Sequence, residues 1–382
     1  MRSKPITPED ETPARGTKPP PRARLGPKMR TIAQVHGAAL LDDELTTAMA
    51  KVAASNGALV PPYDIPAGVS ADGRPLGRTR VYVGDCRPLL RSLEERGKVG
   101  LIFADPPFNW KRDYDRWKDD VGSPDPRKAI KAPKVYDTWD DAMPAEEYLA
   151  FTREWLGLCA DVLRPGGSFW VNIPDDWAAE IVVELKRLGL HMENWCIWHY
   201  RFGQNTKRRF INSKVHALHF IKPGGQPVWN LMEVLEPSDR ATTYFDPRTQ
   251  SKKDGMPPGM RVPLDVWYGQ YWGRITGNNF ERRPGHDNQL PEIYLDRVIR
   301  ATSSAGDLVL DPFLGSGTTG VMARALGREF IGLEFSKANA KSAADRIRLG
   351  PARPVGTGLN QSNAIFAPRK LGEKTRARLE GR

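Results

Sequence analysis

The sequence has few cysteines and no long apolar run. Its 382 residues include three cysteines, at positions 86, 159 and 196. These cannot build a disulfide framework and lack the paired short spacings of a zinc site, so a reducing, cytoplasmic setting without a metal site is expected. No apolar stretch approaches the roughly 18 residues of a membrane span, and the first residues contain no apolar core of a secretory signal. A membrane protein is therefore not expected.

Acidic residues are fewer than basic residues. Lysine and arginine number 57 against 46 acidic residues, which gives a net charge of +11. A field of this sign attracts polyanions, and nucleic acid is the leading class of partner. An acidic membrane surface or a merely solubilising charge would produce the same sum, so the charge alone does not select among these readings.

Composition changes along the chain indicate its organisation. The length predicts two to three structural units. Residues 1–30 are basic and proline-rich, and we expect them to be disordered ahead of a helix at 31–54. Residues 223–286 are rich in proline, glycine, tryptophan, tyrosine and arginine, and interrupt the pattern on either side. The predicted parts are an arm with a helix (1–78), a first half of the main domain (79–222), an insertion (223–284), a second half (285–350) and a basic tail (351–382).

Strand-length apolar runs alternate with amphipathic helical segments in both halves. VGLIFA (99–104) and SFWVNI (168–173) are of strand length, and residues 145–163 and 290–303 have helical periodicity. Such alternation is typical of an α/β fold with a parallel, doubly wound sheet.

A glycine-rich turn joins a strand to a helix in LVLDPFLGSGTTG (308–320). Gly315, Gly317 and Gly320 allow positive φ and let a ligand approach the backbone closely. The helix start offers unpaired N–H groups to an electron-rich ligand. The turn lacks the Gly-Lys-Ser/Thr ending of a Walker A motif, so no pyrophosphate is implied. Alone, the pattern also fits an ordinary tight connection.

Two acidic residues favour a nucleoside site at this turn. Asp311 ends the strand before the turn, where it can pair with an ammonium group or with ordered water. Glu334 ends the next strand, FIGLE (330–334), and an acid at that place accepts hydrogen bonds from ribose hydroxyls in dinucleotide folds. The combination predicts binding of a nucleoside-containing cofactor.

The tetrapeptide Asp105-Pro106-Pro107-Phe108 follows the apolar strand LIFA. Its prolines fix φ and force an extended backbone, which aims a carboxylate and carbonyl oxygens at one point beyond the sheet. These acceptors suit an exocyclic amino group, and Phe108 offers a flat face for a base. The plainer alternative is a rigid turn at the strand exit. Ligands of open α/β sheets bind beyond the carboxyl ends of strands, so the tetrapeptide would face the glycine turn if their strands are adjacent.

The tetrapeptide, followed much later by DPFLGSGTTG and FIGLE, resembles the motifs of the amino-methyltransferases that modify DNA with S-adenosylmethionine. The order, with the glycine turn last, resembles the β class of these enzymes. The resemblance covers roughly 79–222 and 285–348. It implies a Rossmann-like sheet in which 223–284 is an inserted target-recognition region. Members of the class are often dimers, so the resemblance admits a homodimer.

The same resemblance implies a set of site residues. VYVGDC (81–86) is similar to the segment whose acid, here Asp85, contacts the cofactor's adenine. GHDNQLPEIYLDRVIRATS (285–303) is similar to the segment that helps hold the methionine end, although Leu290 stands where members more commonly have lysine, which leaves the contact with the cofactor carboxylate open. The implied cofactor-binding residues are Asp85, Cys86, Asp105, Gln289, Leu290, Asp311, Phe313, Gly315, Ser316, Gly317, Thr318, Thr319 and Glu334.

An aspartate at the first position of the tetrapeptide resembles adenine-N6 members more than cytosine-N4 members, in which serine is usual. The resemblance thus implies methyl transfer from S-adenosylmethionine to the N6 amino group of an adenine flipped out of double-stranded DNA. The implied catalytic residues are Asp105, Pro106, Pro107 and Phe108. No metal and no covalent enzyme intermediate are expected. Cytosine-N4 methylation, a binding protein without turnover, and methylation of RNA or of a protein amide are the alternatives.

Basic residues near these motifs are candidate DNA contacts. Lys111, Arg112, Arg116 and Lys118 follow the tetrapeptide and fit either a loop over DNA or a solvated loop. Lys207, Arg208, Arg209 and Lys214 precede a strand that should border the site, where phosphate contacts are expected. Among the histidines, His216 and His219 should face opposite sides of one strand, so metal binding is not expected. His286 beside Asp287 fits either a residue that lines the site or a polar pair in a loop, and the loop pair is favoured.

Overall fold

The computed structural model describes residues 60–110, 141–200, 206–250, 255–268, 272–275, 279, 281–283, 286 and 288–356. The predictions for residues 1–59, for the charged loop at 111–134 and for the basic tail beyond residue 356 fall outside this part of the chain.

The strands are short at the ends of the described region and longest in its middle. They are β1 (Tyr63–Ile65), β2 (Gly68–Val69), β3 (Pro75–Leu76), β4 (Thr79–Val83), β5 (Val99–Ala104), β6 (Leu163–Ile173), β7 (His191–His199), β8 (Lys214–Ile221), β9 (Glu236–Pro237), β10 (Met260–Arg261), β11 (Val266–Trp267), β12 (Leu308–Asp311) and β13 (Glu329–Glu334).

The longer helices alternate with the sheet strands, and the shorter ones lie in the region of the predicted insertion. They are α1 (Cys86–Ser92), α2 (Ala145–Val162), α3 (Ala178–Arg187), α4 (Leu231–Val234), α5 (Asp239–Thr242), α6 (Glu292–Thr302), α7 (Thr318–Ala325) and α8 (Lys337–Leu349), with a 3₁₀ turn at Pro247–Gln250.

One nine-stranded sheet organises the molecule, in the order β1-β4-β13-β12-β5-β6-β8-β7-β11. The central neighbours β4, β13, β12, β5 and β6 pair in parallel, as the alternation predicted. The prediction of a parallel sheet was wrong for β8, which runs antiparallel to both β6 and β7. Parallel neighbours are usually joined by a helical crossover, and none of the described residues between β7 and β8 is helical, in keeping with an antiparallel pair.

Helices cover both faces of the sheet, which makes it doubly wound. On one face, α1, α2 and α3 bury Leu90, Trp155 and Leu185 against a sheet layer that includes Ile102. On the other, α6, α7 and α8 pack against a layer that includes Leu101. Adjacent residues of β5 thus enter opposite layers, because side chains alternate along a strand and this strand is buried on both faces.

The register of the parallel strands determines where the motifs lie. Leu310 on β12 pairs with Ile102 on β5, so the turn after β12 and the tetrapeptide after β5 leave the sheet side by side. Strand β6 begins at Leu163, five residues before the predicted start at Ser168, because the RPGG segment is included in the strand beside an irregular pairing with β5. Within the described residues, no helix is long and apolar enough to cross a membrane.

Candidate active site

A cavity of about 330 Å³ opens at the carboxyl ends of β4, β5, β12 and β13. This volume lies in the usual range for small-molecule and cofactor sites. Its walls are formed by the tetrapeptide, the glycine turn, the start of α1, the segment before α6 and the residues after β13. The predicted residues that line it are Asp85, Cys86, Asp105, Pro106, Pro107, Phe108, Gln289, Leu290, Asp311, Phe313, Gly315, Ser316, Thr318, Thr319 and Glu334.

Two backbone carbonyls of the tetrapeptide accept hydrogen bonds from neighbouring side chains, and a third does not. The Tyr148 hydroxyl on α2 donates to the Pro107 carbonyl at 2.6 Å. Trp177 Nε1, just before α3, donates to the Phe108 carbonyl at 3.1 Å. Among the described residues, no hydrogen bond to the Pro106 carbonyl is found. Pro106 lines the cavity, and its carbonyl remains able to accept a hydrogen bond while those of its neighbours hold the segment in place.

The Asp105 carboxylate is oriented by a buried pair of side chains. Asn172 on β6 donates from Nδ2 to Asp105 Oδ1 at 2.7 Å. The Tyr294 hydroxyl on α6 donates to Asn172 Oδ1 at 3.1 Å, which fixes the orientation of the Asn172 amide. Asn172 and Tyr294 are both almost fully buried. One oxygen of Asp105 is thus occupied by Asn172, and the other is left to face the cavity.

Glu334 connects the glycine turn to the end of β13. Its Oε2 accepts the Gly315 N–H at 2.8 Å, and its Oε1 accepts the Ser336 N–H at 3.0 Å. Gly315 has φ of +50°, a left-handed conformation that favours glycine. Oε1 also accepts from Asn339 Nδ2 at 3.4 Å, whereas Oε2 retains a lone pair and can accept from a ligand hydroxyl as well as from the backbone.

Gly317 is the predicted cofactor residue that does not line the cavity. It has φ of +81°, and a Cβ there would lie 2.9 Å from the Cβ of Ala343 on α8. This glycine therefore permits close packing of α7 against α8. Arg346, also on α8, supports the same turn by donating to the Ser316 carbonyl at 3.1 Å and to Thr318 Oγ1 at 2.8 Å.

Three buried carboxyl groups face the cavity from adjacent strand ends. Burial raises the pKa of Asp105 to about 7, against the opposing hydrogen bond from Asn172. Burial likewise raises the pKa of Asp311 and of Glu334 to about 7 each. The described lining contains no lysine or arginine, and burial lowers the pKa of His286 to about 4, so this histidine adds no positive charge near neutral pH. The cavity thus suits a cationic ligand and disfavours a phosphate.

Asp85 lies at the cavity wall with its carboxylate already engaged. It accepts the Arg87 N–H at 2.9 Å, which caps α1, and Arg87 Nη2 lies 2.6 Å from its second oxygen. Arg87 also bonds Glu154 on α2 at 3.0 Å. Asp85 therefore acts first as a structural anchor for the start of α1.

Several residues of the site were not among the sequence predictions. Phe335, Ser336 and Asn339 line the cavity, and their position directly after Glu334 was a usable signal. His286 also lines it, which supports the alternative of a site-lining residue over the favoured loop pair. The supporting residues Asn172, Tyr294, Tyr148, Trp177 and Arg346 carry no local sequence signal.

The other singled-out histidines have structural partners. His216 accepts from Trp195 Nε1 at 2.7 Å and lies 2.6 Å from Asp175. His219 stacks on Trp170 and bonds Ser168 at 3.0 Å on another part of the sheet. Within the described residues, no group of three or more histidine, cysteine or acidic side chains could hold a metal ion.

Comparison with known proteins identifies the family. Residues 99–345, more than half of the chain, match the family described as DNA methylase. The chain is 29% identical over 269 residues to the Type II methyltransferase M.HpaI of Haemophilus parainfluenzae, a match covering 70% of this chain and 74% of that protein. It is 29% identical over 271 residues to the Type II methyltransferase M.BamHI of Bacillus amyloliquefaciens, covering 70% of this chain and 57% of that protein.

Among solved structures, the chain matches that of the M1.HpyAVI–SAM complex. It is 19% identical, has a TM-score of 0.46, and is matched over 70% of this chain and 98% of that chain. The family match spans both the strand before the tetrapeptide and the glycine turn with its following strand. On that match, and in agreement with the resemblance in the motifs, this chain belongs to the DNA methylase family.

Proposed function

We propose that the protein transfers a methyl group from S-adenosylmethionine to the N6 amino group of an adenine in double-stranded DNA. The observation that carries the proposal is that Asp105, Pro106 and the glycine turn line one cavity. Acceptors for an amino group and a wall suited to a cationic nucleoside thus face one another across a single space.

The composition of the cavity fits the proposed cofactor. Asp311 and Glu334 offer negative charge and hydrogen-bond acceptors, and the described lining carries no lysine or arginine to recruit a phosphate. When bound, S-adenosylmethionine supplies a methyl carbon activated by a sulfonium, which departs as a neutral thioether. In this proposal Glu334 accepts from ribose hydroxyls and Asp311 pairs with positive charge near the glycine turn, to which both carboxylates are hydrogen-bonded.

Two acceptors remain for two amino hydrogens. Asn172 occupies one oxygen of Asp105, so the other oxygen and the Pro106 carbonyl can each accept one N–H of an exocyclic amino group. Phe108, which packs edge-on against Trp110 at 5.0 Å, provides an aromatic wall for the base. In this arrangement the nitrogen lone pair attacks the methyl carbon, and the carboxylate of Asp105 stabilises the positive charge that forms on nitrogen.

The Asp105 carboxyl is also suited to the proton that nitrogen must lose. Its pKa of about 7 lets it accept a proton after methyl transfer and release it to water near neutral pH. Most of the acceleration then comes from placement and from the buried negative charge, since the methyl donor is already activated. An aspartate rather than a serine at this position favours adenine over cytosine.

The test replaces Asp105 by alanine. We expect Asp105→Ala to reduce methyl transfer by at least about 100-fold, the size of effect expected for losing a group that contacts the reacting atom. Calorimetry should show S-adenosylmethionine affinity within about threefold of wild type, because Asp311 and Glu334 remain. Asp161→Ala, at an exposed aspartate near the end of α2, is the matched control.

The base is identified separately from the role of Asp105. Mixed-sequence DNA methylated by the wild-type protein is digested to nucleosides, and the modified nucleoside is analysed by mass. N6-methyl-2′-deoxyadenosine supports the proposal, whereas N4-methyl-2′-deoxycytidine contradicts it and identifies cytosine as the methylated base. Retained turnover in Asp105→Ala would remove this carboxylate from the mechanism.

A further inference from the structure

The segment between β7 and β8 presents an aromatic side chain to solvent beside a run of cations. Phe210 is 97% exposed and its neighbour Ile211 is 46% exposed. Lys207, Arg208 and Arg209 precede them and are exposed as well. In the described part of the chain, no ion pair joins these three cations to an acidic side chain.

The segment lies at the edge of the sheet where the cavity opens. Lys214, the first residue of β8, forms an ion pair with Asp175, which is two residues beyond the end of β6. Near that strand end, Asn172 contacts Asp105 at 2.7 Å. Phe210 precedes Lys214 by four residues, so their Cα atoms are at most about 14 Å apart even in a fully extended chain. Phe210 is therefore within about 14 Å of the sheet edge at which β6 ends, beside the end of β5 and its tetrapeptide.

Ser213, just before β8, is held by hydrogen bonds, whereas Phe210 is exposed. The Tyr200 N–H donates to the Ser213 carbonyl at 2.8 Å, and His199 Nδ1 lies 3.0 Å from the same oxygen. At the other side, the Arg208 N–H donates to Thr206 Oγ1 at 3.3 Å in a local turn. The apolar ring is thus carried on a supported turn beside cations.

Resting on the proposed function, we propose that Phe210 enters the DNA duplex in the space left by the flipped base. Lys207, Arg208 and Arg209 would hold the flanking phosphates. A flat apolar ring can stack on the base pairs next to the gap and slow return of the extruded base. A second copy of the chain is a poorer occupant, because a two-fold contact would bring the same three cations together.

The experiment uses the full-length protein and two duplexes with one target site, mapped beforehand by modification sequencing with wild-type protein. One duplex is fully paired, and the other carries a mismatch opposite the target base. Flipping from a mismatch needs less unpairing, so it depends less on a wedge. We expect Phe210→Ala to lower kcat/KM at least about tenfold on the paired duplex and less than about twofold on the mismatched one. Phe210→Trp, which keeps a flat aromatic ring, should retain kcat/KM close to that of wild type on the paired duplex.

Leu349→Ala is the matched control, since Leu349 is 75% exposed at the end of α8, away from the cavity edge. Fluorescence of 2-aminopurine at the target position reports flipping without turnover, and should fall in Phe210→Ala. Equal losses on both duplexes, or no loss on either, overturn the wedge. If Phe210→Ala changes the oligomeric state but not the ratio of kcat/KM between the two duplexes, the wedge is overturned, and Phe210 instead contacts a second copy of the chain. Absence of methyl transfer by wild type would instead count against the proposed function.

Discussion

The affinity for S-adenosylmethionine should weaken as the solution becomes more acidic. Asp311 and Glu334 have pKa values of about 7 because both are buried. A cationic ligand favours the ionised carboxylates, so binding lowers these pKa values and releases protons. Such a carboxyl is half ionised at about pH 7 and about one-thirtieth ionised at about pH 5.5, so affinity falls about 15-fold for one required carboxylate and about 250-fold for two.

Calorimetry in two buffers with different heats of ionisation measures both the affinity and the protons released. The measurements extend from about pH 5.5 to about pH 7. They stop there because an α-amino group such as that of S-adenosylmethionine loses its proton with a pKa of about 7.7 to 8, which would change the charge of the ligand. Glu334→Gln removes one of the two titrating carboxyl groups, so the affinity for S-adenosylmethionine should depend less steeply on pH. Glu329→Gln is the control, because Glu329 is an exposed residue at the opposite end of the same strand. An affinity that stays constant, or rises, as pH falls from 7 to 5.5 would refute the reasoning.

Three further predictions concern the support of the site. Asn172→Leu removes the donor to Asp105, so kcat should fall about 10- to 100-fold and the acidic limb of its pH profile should move to higher pH, since the hydrogen bond lowers the pKa of that carboxyl. A merely structural role would leave that limb in place. Gly317→Ala should lower the free energy of unfolding by about 2–3 kcal/mol in urea denaturation, because it adds strain at positive φ and a close contact with α8; an unchanged midpoint contradicts this. Arg346→Met leaves the buried Glu292 carboxylate without its charged partner and should cost about 3–5 kcal/mol, whereas the additional change Glu292→Gln should recover part of that loss in the same measurement.

The convergence of the two motifs could be predicted because it depends on a general property of parallel sheets. Asp105 and Gly315 follow strands whose carboxyl ends share one edge, and β5 and β12 pair directly. The antiparallel β8 also had a signal, since no helical segment of crossover length separates it from β7. The predicted direction of β8 was wrong because the alternation of strands and helices on either side suggested a parallel strand there as well.

The support around Asp105 could not be predicted in the same way. Asn172 reaches Asp105 because Val171 pairs with Ala104, and this register arises from the packing of the whole sheet. Tyr294 reaches Asn172 from a helix more than a hundred residues further along the chain. Neither residue lies in a motif, and each would suit an ordinary buried position. Tertiary pairing, rather than local sequence, determines what they contact.

The strand order has a consequence for synthesis of the chain. Strands β4 and β5 follow each other in sequence, yet β13 and β12 lie between them in the sheet. Until the ribosome has delivered these two late strands, β4 and β5 each keep an edge without its final neighbour, and one wall of the cavity does not exist. The centre of the sheet is therefore completed last. A nascent or prematurely terminated chain therefore cannot complete this cavity before β13 has been synthesised.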